Sequence, residues 1–363
     1  MSKSWGYHME VSLFGESHGP AIGVVLSGLP AGVALDEAAI AAQMARRAPG
    51  GADWSTPRRE ADTVKILSGA YQGRTTGTPL CAVIENTNTH SRHYEGLDRL
   101  PRPGHADYTG AVKYRGYADP RGGGHFSGRL TAPLTFAGAV ARLYLREKGV
   151  DIAGHVCQIG ECRDIPASLA APDMEAMHNA AAGFPALSPA ARLSMAEAIR
   201  QARAEGDSLG GAVEVFATGV PAGLGDPIFS GFESHFASLC YGIPGVKAVE
   251  FGAGQSFAYL RGSQANDSFC WRQGEVATVT NHTGGVNGGI TNGMPLAVRI
   301  TFRPTPSISR EQDTVNLAGG PARLAIKGRH DPCIVPRALP VAEAALALTI
   351  MDFMLEDASD GIG

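Results

Sequence analysis

Six short runs of apolar and β-branched residues predict β-strands spread along the chain. They cover residues 9–14, 21–26, 64–67, 80–84, 213–220 and 297–302. The first two runs flank a tight turn that carries His18, and turn-forming residues fill 73–79 between the third and fourth runs. Strands are therefore expected to dominate the first third of the chain.

Helical signals predict three helices, at 37–47, 131–148 and 189–206. Asp36 precedes the first as an N-cap, and Ser188 precedes the third, which has a proline in its first turn. Each N-cap side chain is expected to accept a hydrogen bond from a free backbone amide.

The late stretch 338–355 is the most apolar part of the chain. Pro340, Glu343 and Asp352 interrupt it, so it is expected to fall short of the about 20 apolar residues that a membrane span needs. The stretch is interpreted as a buried helix.

Residues 100–128 contain many glycines and prolines and predict a long loop. A loop of this length inside a compact chain is usually functional or disordered. Because His105, Tyr108, His125 and several arginines lie in it, we expect it to be functional.

Short strands, a few core helices and no regular strand-helix alternation favour an α+β fold over a doubly wound sheet. Neither a repeat nor a low-complexity linker divides the sequence. Residues 1–363 are therefore expected to form a single domain, with the weakly patterned, alanine-rich stretch 162–189 as a surface insertion.

Composition excludes some classes of partner. The 363 residues include 31 Lys plus Arg and 35 Asp plus Glu, a formal net charge of -4, which gives no overall basic field for nucleic acid or an anionic membrane.

Six scattered cysteines lack metal or redox spacing, and the N-terminus lacks a signal-peptide pattern. Reduced thiols and a cytoplasmic location are expected.

Two histidines in glycine-bearing loops are candidates for proton transfer. His18 lies in GESHG at 15–19 and His105 in RPGHAD at 102–107, each beside groups able to bind an anion. Histidine suits acid-base chemistry near neutral pH, although a histidine in a solvated turn gives the same pattern. Asp331, between cations and before a proline, either orients a proton carrier or forms an ordinary capped turn.

Arginines provide candidate anion sites, because a guanidinium binds phosphate or carboxylate through two parallel hydrogen bonds. Beside one of them, the glycines at 122–124 either add backbone donors for a phosphate or form a flexible loop. The candidates are Arg46, Arg47, Arg58, Arg59, Arg121, Arg129, Arg329 and Arg337.

The glycine-rich run 283–290 lacks the strand-loop-helix context of a dinucleotide fingerprint, so a Rossmann assignment is rejected. The run either lets a planar ring lie against the backbone or forms tight turns, and residues 303–307 offer charge and hydroxyls to a phosphate. No motif has metal-ligand spacing, so we expect no required metal.

Five short sequence motifs together resemble those of the chorismate synthase family. They are FGESHG at 14–19, RPGHADY at 102–108, RGGG at 121–124, GVPAGLG at 219–225 and KGRHDPC at 327–333. Two shorter motifs, LSG at 67–69 and RGSQ at 261–264, support a resemblance that runs from about Gly15 to about Asp352.

The resemblance implies a carbon-oxygen lyase of the shikimate pathway of aromatic amino acid biosynthesis. Enzymes of this family convert 5-enolpyruvylshikimate 3-phosphate to chorismate with loss of phosphate, and they require reduced FMN although the reaction has no net redox change. The family fold is a single domain with helices sandwiched between β-sheets, assembled as a homotetramer. The same organisation is expected here.

By the same resemblance, three residues are expected to be catalytic. The histidine matching His18 serves the flavin or the leaving phosphate, the one matching His105 protonates the reduced flavin, and the aspartate matching Asp331 assists proton transfer near flavin N5. Arg47 matches a position that contacts an anionic ligand or pyridine nucleotide, and Arg129 is expected to help hold the substrate phosphate.

Further positions match the family's flavin site. They are His125, Phe126, Ser127, Gly288, Arg303, Pro304, Thr305, Pro306, Ser307 and Arg329.

The chain departs from the family pattern at Asp53, at His125 and Phe126, and at Pro244 and Gly245. These departures affect individual flavin and nucleotide contacts, not the expected reaction. Relatives that reduce flavin with NADPH tend to be longer, so we expect NADPH to act only indirectly, through an external flavin reductase. An FMN-binding electron carrier without turnover is the alternative, and a flavin-independent phosphatase is a third reading.

Overall fold

The structure, a computed structural model, describes residues 4–50, 54, 62–87, 99–326 and 330–359. The strands in these residues form two five-stranded sheets and four two-stranded sheets. They are β1 (Ser4–Trp5), β2 (Glu10–Gly15), β3 (Ala21–Ser27), β4 (Val64–Ser68), β5 (Ala70–Tyr71), β6 (Arg74–Thr75), β7 (Leu80–Glu85), β8 (Asp151–Ile159), β9 (Cys162–Arg163), β10 (Gly211–Thr218), β11 (Val246–Phe251), β12 (Phe269–Arg272), β13 (Glu275–Thr278), β14 (Val286–Asn287), β15 (Ile290–Thr291), β16 (Leu296–Phe302), β17 (Gln312–Val315) and β18 (Pro321–Leu324).

The α-helices range from one turn to a long helix near the end of the chain. They are α1 (Glu37–Arg47), α2 (Asp107–Lys113), α3 (Thr131–Glu147), α4 (Met174–Ala180), α5 (Pro189–Ala204), α6 (Phe232–Gly242), α7 (Gly262–Ala265) and α8 (Val335–Ser359). Three 3-10 helices, Arg121–Phe126, Gly128–Leu130 and Gly254–Tyr259, complete the helical structure of the described residues.

Both large sheets are antiparallel. The first has the strand order β1-β2-β3-β7-β4 and the second β11-β16-β10-β8-β9. In the first, Ile22 lies opposite Ile84, and in the second, Val213 lies opposite Ile300. These side chains are all buried, so each sheet has an apolar face that needs cover.

Helices α3 and α8 cover those faces by packing against each other between the sheets. Helix α3 contacts β3 and β7 of the first sheet, and α8 contacts β8 and β10 of the second. Where the helices cross, a Cβ at Gly138 would lie 2.1 Å from the Cβ of Ala344, so this close approach requires glycine. The arrangement confirms the predicted α+β fold with a helix layer between sheets.

Helix α8 carries two carboxylates into the core, and both are paired. Glu343 accepts hydrogen bonds of 2.6 and 2.8 Å from Arg46. Asp352 accepts from His235 at 2.7 Å and from the backbone amides of residues 7–9. Pairing explains how these charges are tolerated in a buried helix.

Contrary to the prediction for 338–355, α8 is long and apolar enough to cross a membrane by length and composition alone. However, 94% of its most apolar window is buried inside the protein. The helix is a core helix, as the sequence indicated.

The predicted elements correspond to β2, β3, β4, β7, β10 and β16 and to α1, α3, α5 and α8. The long loop predicted at 100–128 is wrong in part, because it contains α2 and the 3-10 helix Arg121–Phe126. Residues 162–189 include β9, α4 and the buried Met177 and Phe184, so this stretch contributes to the interior as well as the surface. Its origin as an insertion stays a prediction.

Candidate active site

A cavity of about 710 Å³ lies where the ends of several elements meet. Its wall includes the loop before α2, the 3-10 turns before α3, residues 303–307 after β16 and the first turns of α8. The volume falls within the roughly 300–1,000 Å³ that is typical of cofactor and small-molecule sites.

Most of the predicted site residues line this cavity. They are Arg47, His105, His125, Phe126, Ser127, Arg129, Arg303, Pro304, Thr305, Pro306, Ser307 and Asp331.

Other predicted positions are placed differently. Gly288 lies in the turn between β14 and β15, and neither Gly288 nor His18 is among the described residues that line the cavity. Arg329 and Asp53 lie outside the described residues. The roles of Gly288 and Arg329 in flavin binding stay predictions.

His18 lies directly behind the glycine turn that forms part of the cavity wall. A Cβ added to Gly122 would lie 2.0 Å from Nδ1 of His18, and the amide of Ser17 donates to the carbonyl of Gly124 at 3.1 Å. Gly122, Gly123 and Gly124 all have positive φ, which glycine adopts at little cost. The turn thus packs closely over a histidine that is only 8% exposed.

His105 is bound by a carboxylate that was not singled out in the sequence. Nδ1 of His105 lies 2.6 Å from Oδ1 of Asp107, and Arg102 binds both oxygens of that carboxylate at 2.7 Å. Burial would raise the pKa of Asp107, but hydrogen bonds from Arg102 and His105 outweigh burial and hold the pKa well below its usual range. Asp107 is therefore ionised at neutral pH.

Two arginines connect the His105 loop to residues 303–307. Nη1 of Arg102 donates to Oγ of Ser307 at 3.2 Å, and Arg303 donates to the carbonyl of Gly104. In the same wall, Oγ1 of Thr305 is buried and has no hydrogen-bond partner within the described part of the chain. An orphaned hydroxyl in a cavity wall is suited to bind a ligand.

A second buried carboxylate, Asp62, joins the two arginines predicted to bind anions. Arg47 donates to Oδ2 of Asp62 at 2.7 Å, and Arg129 forms an ion pair with Oδ1. Burial would raise the pKa of Asp62, but the two guanidinium groups hold it below its usual range. Burial, together with nearby Arg337 and Arg129, lowers the pKa of Arg47 to about 10. Arg47 therefore remains cationic at neutral pH.

Asp331 belongs to the same group of charges. It forms an ion pair with Arg337, and Nε of Arg337 donates to the backbone carbonyl of Arg47 at 3.0 Å. Arg337 therefore links Asp331 to the C-terminal end of α1.

Cations predominate among the charged residues that line the cavity in the described part of the chain. They are Arg47, Arg102, Arg129, Lys247, Arg303 and Arg337, beside the carboxylate of Asp331. Such a lining suits a ligand with several anionic groups, and it includes histidines, a residue type suited to acid-base chemistry.

Comparison with known proteins places this site in a family. A sequence profile described as chorismate synthase matches residues 9–355. The chain is 46% identical over 357 residues to the chorismate synthase of Methanocella arvoryzae, which covers 97% of this chain and 94% of that relative. It is 45% identical over 351 residues to the chorismate synthase of Thermococcus kodakarensis, covering 96% and 97%.

The chain belongs to the chorismate synthase family. A solved structure described as a crystal structure of chorismate synthase has a TM-score of 0.76 and 30% sequence identity, covering 97% of this chain and 93% of the other. The predicted family, its lyase class and the α+β fold are confirmed.

The sequence analysis did not single out Arg102, Asp107 or Asp62, and their roles emerge only from the structure. Arg102 and Asp107 lie inside the motif RPGHADY, so a signal for them was present in the sequence. Asp62 lies in none of the recognised motifs, and its partners Arg47 and Arg129 are 15 and 67 residues away along the chain. Only the fold brings that group together.

Proposed function

We propose that the chain catalyses the trans-1,4-elimination of phosphate from 5-enolpyruvylshikimate 3-phosphate, giving chorismate, and depends on reduced FMN with no net redox change. The observation that carries the proposal is one cavity that combines His105, Asp331 and a set of arginines. A substrate with one phosphate and two carboxylates has the charges that this lining can bind.

The residues present also fit a flavin mononucleotide. The cavity is large enough for a small ligand with a ring system, and the buried hydroxyl of Thr305 is a ready partner for a phosphate or ring oxygen. His125, Phe126, Ser127 and residues 303–307 would hold the cofactor. When bound, reduced FMN supplies an electron-rich ring that assists phosphate departure and receives or relays the proton.

The arginines bound to Asp62 are suited to the leaving phosphate. As the C–O bond breaks, negative charge accumulates on the phosphate, and cations that are already fixed stabilise it without reorganisation. Arg47 and Arg129 are fixed by a shared buried carboxylate, which meets that requirement. His18, behind the wall of Ser17 and Gly122, is expected to support the same region.

The elimination also breaks a C–H bond, and the released proton would pass to the bound reduced flavin. His105 would protonate that flavin beforehand, and the Asp107 carboxylate would stabilise the charged His105 ring before this transfer. Asp331, paired with Arg337, provides a carboxylate oxygen that assists proton transfer in the same cavity.

The test is anaerobic turnover of 5-enolpyruvylshikimate 3-phosphate, with and without dithionite-reduced FMN, followed by phosphate release and chorismate absorbance. Equal amounts of phosphate and chorismate, only with reduced FMN, support the proposal. Well-folded protein that gives no turnover refutes it, and phosphate release from ordinary sugar phosphates without FMN indicates a phosphatase.

The variant His105→Ala distinguishes an enzyme from a protein that only carries electrons. Under the proposal, the variant loses turnover and keeps its affinity for FMN, because His105 moves a proton and contributes little to binding. A protein that only carries electrons has no turnover to lose.

The remaining expectations rest on the family resemblance. We infer a homotetramer, an external source of reduced flavin with NADPH acting only through it, and a cytoplasmic location. Light scattering after size exclusion tests the assembly. Anaerobic NADPH with oxidised FMN tests whether the chain reduces flavin itself, and turnover with this pair alone would contradict the expectation.

A further inference from the structure

We propose that Asp107 is a positioning residue that keeps a proton on Nδ1 of His105, so that Nε2 is the atom that exchanges a proton with the ligand. The inference rests on the proposed role of His105. It starts from one oxygen, Oδ1 of Asp107, which lies 2.6 Å from Nδ1 of His105 and 2.7 Å from Nη2 of Arg102.

These contacts determine which ring nitrogen carries the proton. If Nδ1 had no hydrogen, its lone pair would face a carboxylate oxygen at 2.6 Å, which is repulsive. Nη2 of Arg102, 3.1 Å away, has the geometry to donate to an unprotonated Nδ1, but the shorter contact of Nδ1 with Oδ1 of Asp107, at 2.6 Å, favours a proton on Nδ1. Nδ1 therefore carries hydrogen in both the neutral and the charged ring.

Asp107 itself is rigidly held. Arg102 binds it through two side-chain nitrogens and through its backbone amide at 3.0 Å, and the side chains of Arg102 and Asp107 are only 3% and 9% exposed. Ser307 accepts a further hydrogen bond from Arg102. The carboxylate cannot turn away from His105 without breaking this group of contacts.

The opposite edge of the His105 ring borders the glycine turn. A Cβ at Gly123 would lie 3.1 Å from both Cε1 and Nε2, so the absence of a side chain at Gly123 leaves room beside Nε2. Because His105 lines the cavity and Nδ1 is bound to Asp107, Nε2 is the nitrogen left for the ligand.

The first test is the ¹⁵N NMR spectrum of histidine-labelled wild-type protein at a pH where the His105 ring is neutral, with the resonances assigned through His105→Gln. We expect a protonated Nδ1 and an unprotonated Nε2. The opposite tautomer overturns the inference. This readout needs neither turnover nor flavin, so it decides the inference even if the proposed function fails.

The second test is Asp107→Asn, which keeps the size of the side chain but removes its charge and adds a donor. We expect a mixed tautomer and a decrease in kcat of about 10–100-fold with KM changed much less. The matched control is Asp151→Asn, which removes the carboxylate 2.9 Å from His178 in an exposed His-Asp pair outside the cavity lining. It should leave kcat unchanged.

A double-mutant cycle separates positioning from a general structural role. If Asp107 acts through His105, Asp107→Asn has little further effect on the residual kcat of His105→Ala. An equal decrease in both backgrounds shows an effect through Arg102 and Ser307 and overturns the inference. Should Asp107→Asn fail to fold, the wild-type spectrum still decides the tautomer.

Discussion

Arg47 and Asp62 form a buried ion pair with an N–O distance of 2.7 Å, and the second oxygen of the same carboxylate binds Arg129. The side chains of these three residues are at most 5% exposed. Two like charges can lie together in the cavity wall because they share one anion. The carboxylate thus links the stability of the fold to the charge of the site.

Asp62→Asn should therefore reduce both stability and substrate affinity. Asparagine tolerates the positive φ of 47° at this position, but the change leaves two buried guanidinium groups without their anion. We expect a loss of about 3–5 kcal/mol in the free energy of unfolding and a clear increase in KM.

Urea unfolding and steady-state kinetics would measure both effects of Asp62→Asn. The control is Asp313→Asn, which removes an exposed partner of Arg323 and should cost less than about 1 kcal/mol. Equal stability of the two variants would contradict a structural role for Asp62.

Gly122→Ala should disrupt the turn over His18, whereas Gly116→Ala should be much milder. Both glycines have positive φ, so both substitutions strain the backbone by about 1–2 kcal/mol. Only the Cβ at position 122 collides, at 2.0 Å from Nδ1 of His18 and 2.8 Å from Oγ of Ser17, while that at 116 meets nothing within 4 Å.

For Gly122→Ala we expect kcat to decrease about 100-fold, because displacement of the wall by about 1 Å misplaces the ligand. Thermal midpoints and kcat of the two alanine variants are the measurement. Equal activity would show that the turn does not position the reacting groups.

Local signals in the sequence predicted many of the main elements, but β8, β11 and α6 were not predicted. Asp36 accepts from the amide of Ala39 at 3.0 Å at the start of α1, as its position predicted, because capping depends on residues three apart. The 3-10 helix Arg121–Phe126 was missed because three consecutive glycines with positive φ carry no helical pattern. Propensity describes regular helices better than turns of this kind.

Positions that match the family line the candidate cavity, whereas a contact between residues distant in the sequence was not predicted. His105, Asp331 and residues 303–307 line one cavity as expected of a shared site. Asp62 was missed because nothing near it in sequence shows that Arg47 and Arg129 will bind it. Position in a motif also does not determine contact, since Gly288 lies in a hairpin turn outside the cavity lining.

Thr305→Val should weaken flavin binding without destabilising the free protein. The hydroxyl of Thr305 is buried without a partner in the described residues, so a methyl group in its place removes an unsatisfied group. We expect an equal or higher thermal midpoint and about a 5–10-fold weaker affinity for FMN, from loss of one hydrogen bond of roughly 1–1.5 kcal/mol.

Fluorescence titration with oxidised FMN would measure this affinity. The control is Thr349→Val in α8, whose hydroxyl donates to the carbonyl of Ala345 at 2.9 Å and lies outside the cavity lining. It should lower stability and leave FMN affinity unchanged. The reverse pattern would exclude Thr305 as a ligand contact.

His155 in β8 is completely buried between two carboxylates. Nδ1 lies 3.0 Å from Asp164 and Nε2 lies 3.0 Å from Glu214. A neutral imidazole has a single N–H, so donation to both carboxylates requires the charged ring. Asp164 also accepts from the backbone amides of Leu187 and Ser188, so the charged ring helps fasten residues 164–188 to the second sheet.

The contribution of His155 to stability should decrease as pH rises. Burial would lower the pKa of His155, but the hydrogen bonds to Asp164 and Glu214 raise it above its ordinary value. A raised folded pKa gives stability that is complete below the unfolded pKa of about 6.5 and is lost as pH rises through the folded pKa. His155→Gln should therefore cost roughly 3 kcal/mol at pH 6, and its difference from wild type should narrow towards pH 9. Urea unfolding of wild type and His155→Gln across this range tests whether the difference in the free energy of unfolding narrows as pH rises. The control is His178→Gln, in an exposed His-Asp pair, which should change the free energy of unfolding little. A difference that widens with pH would mean that His155 is neutral in the folded protein.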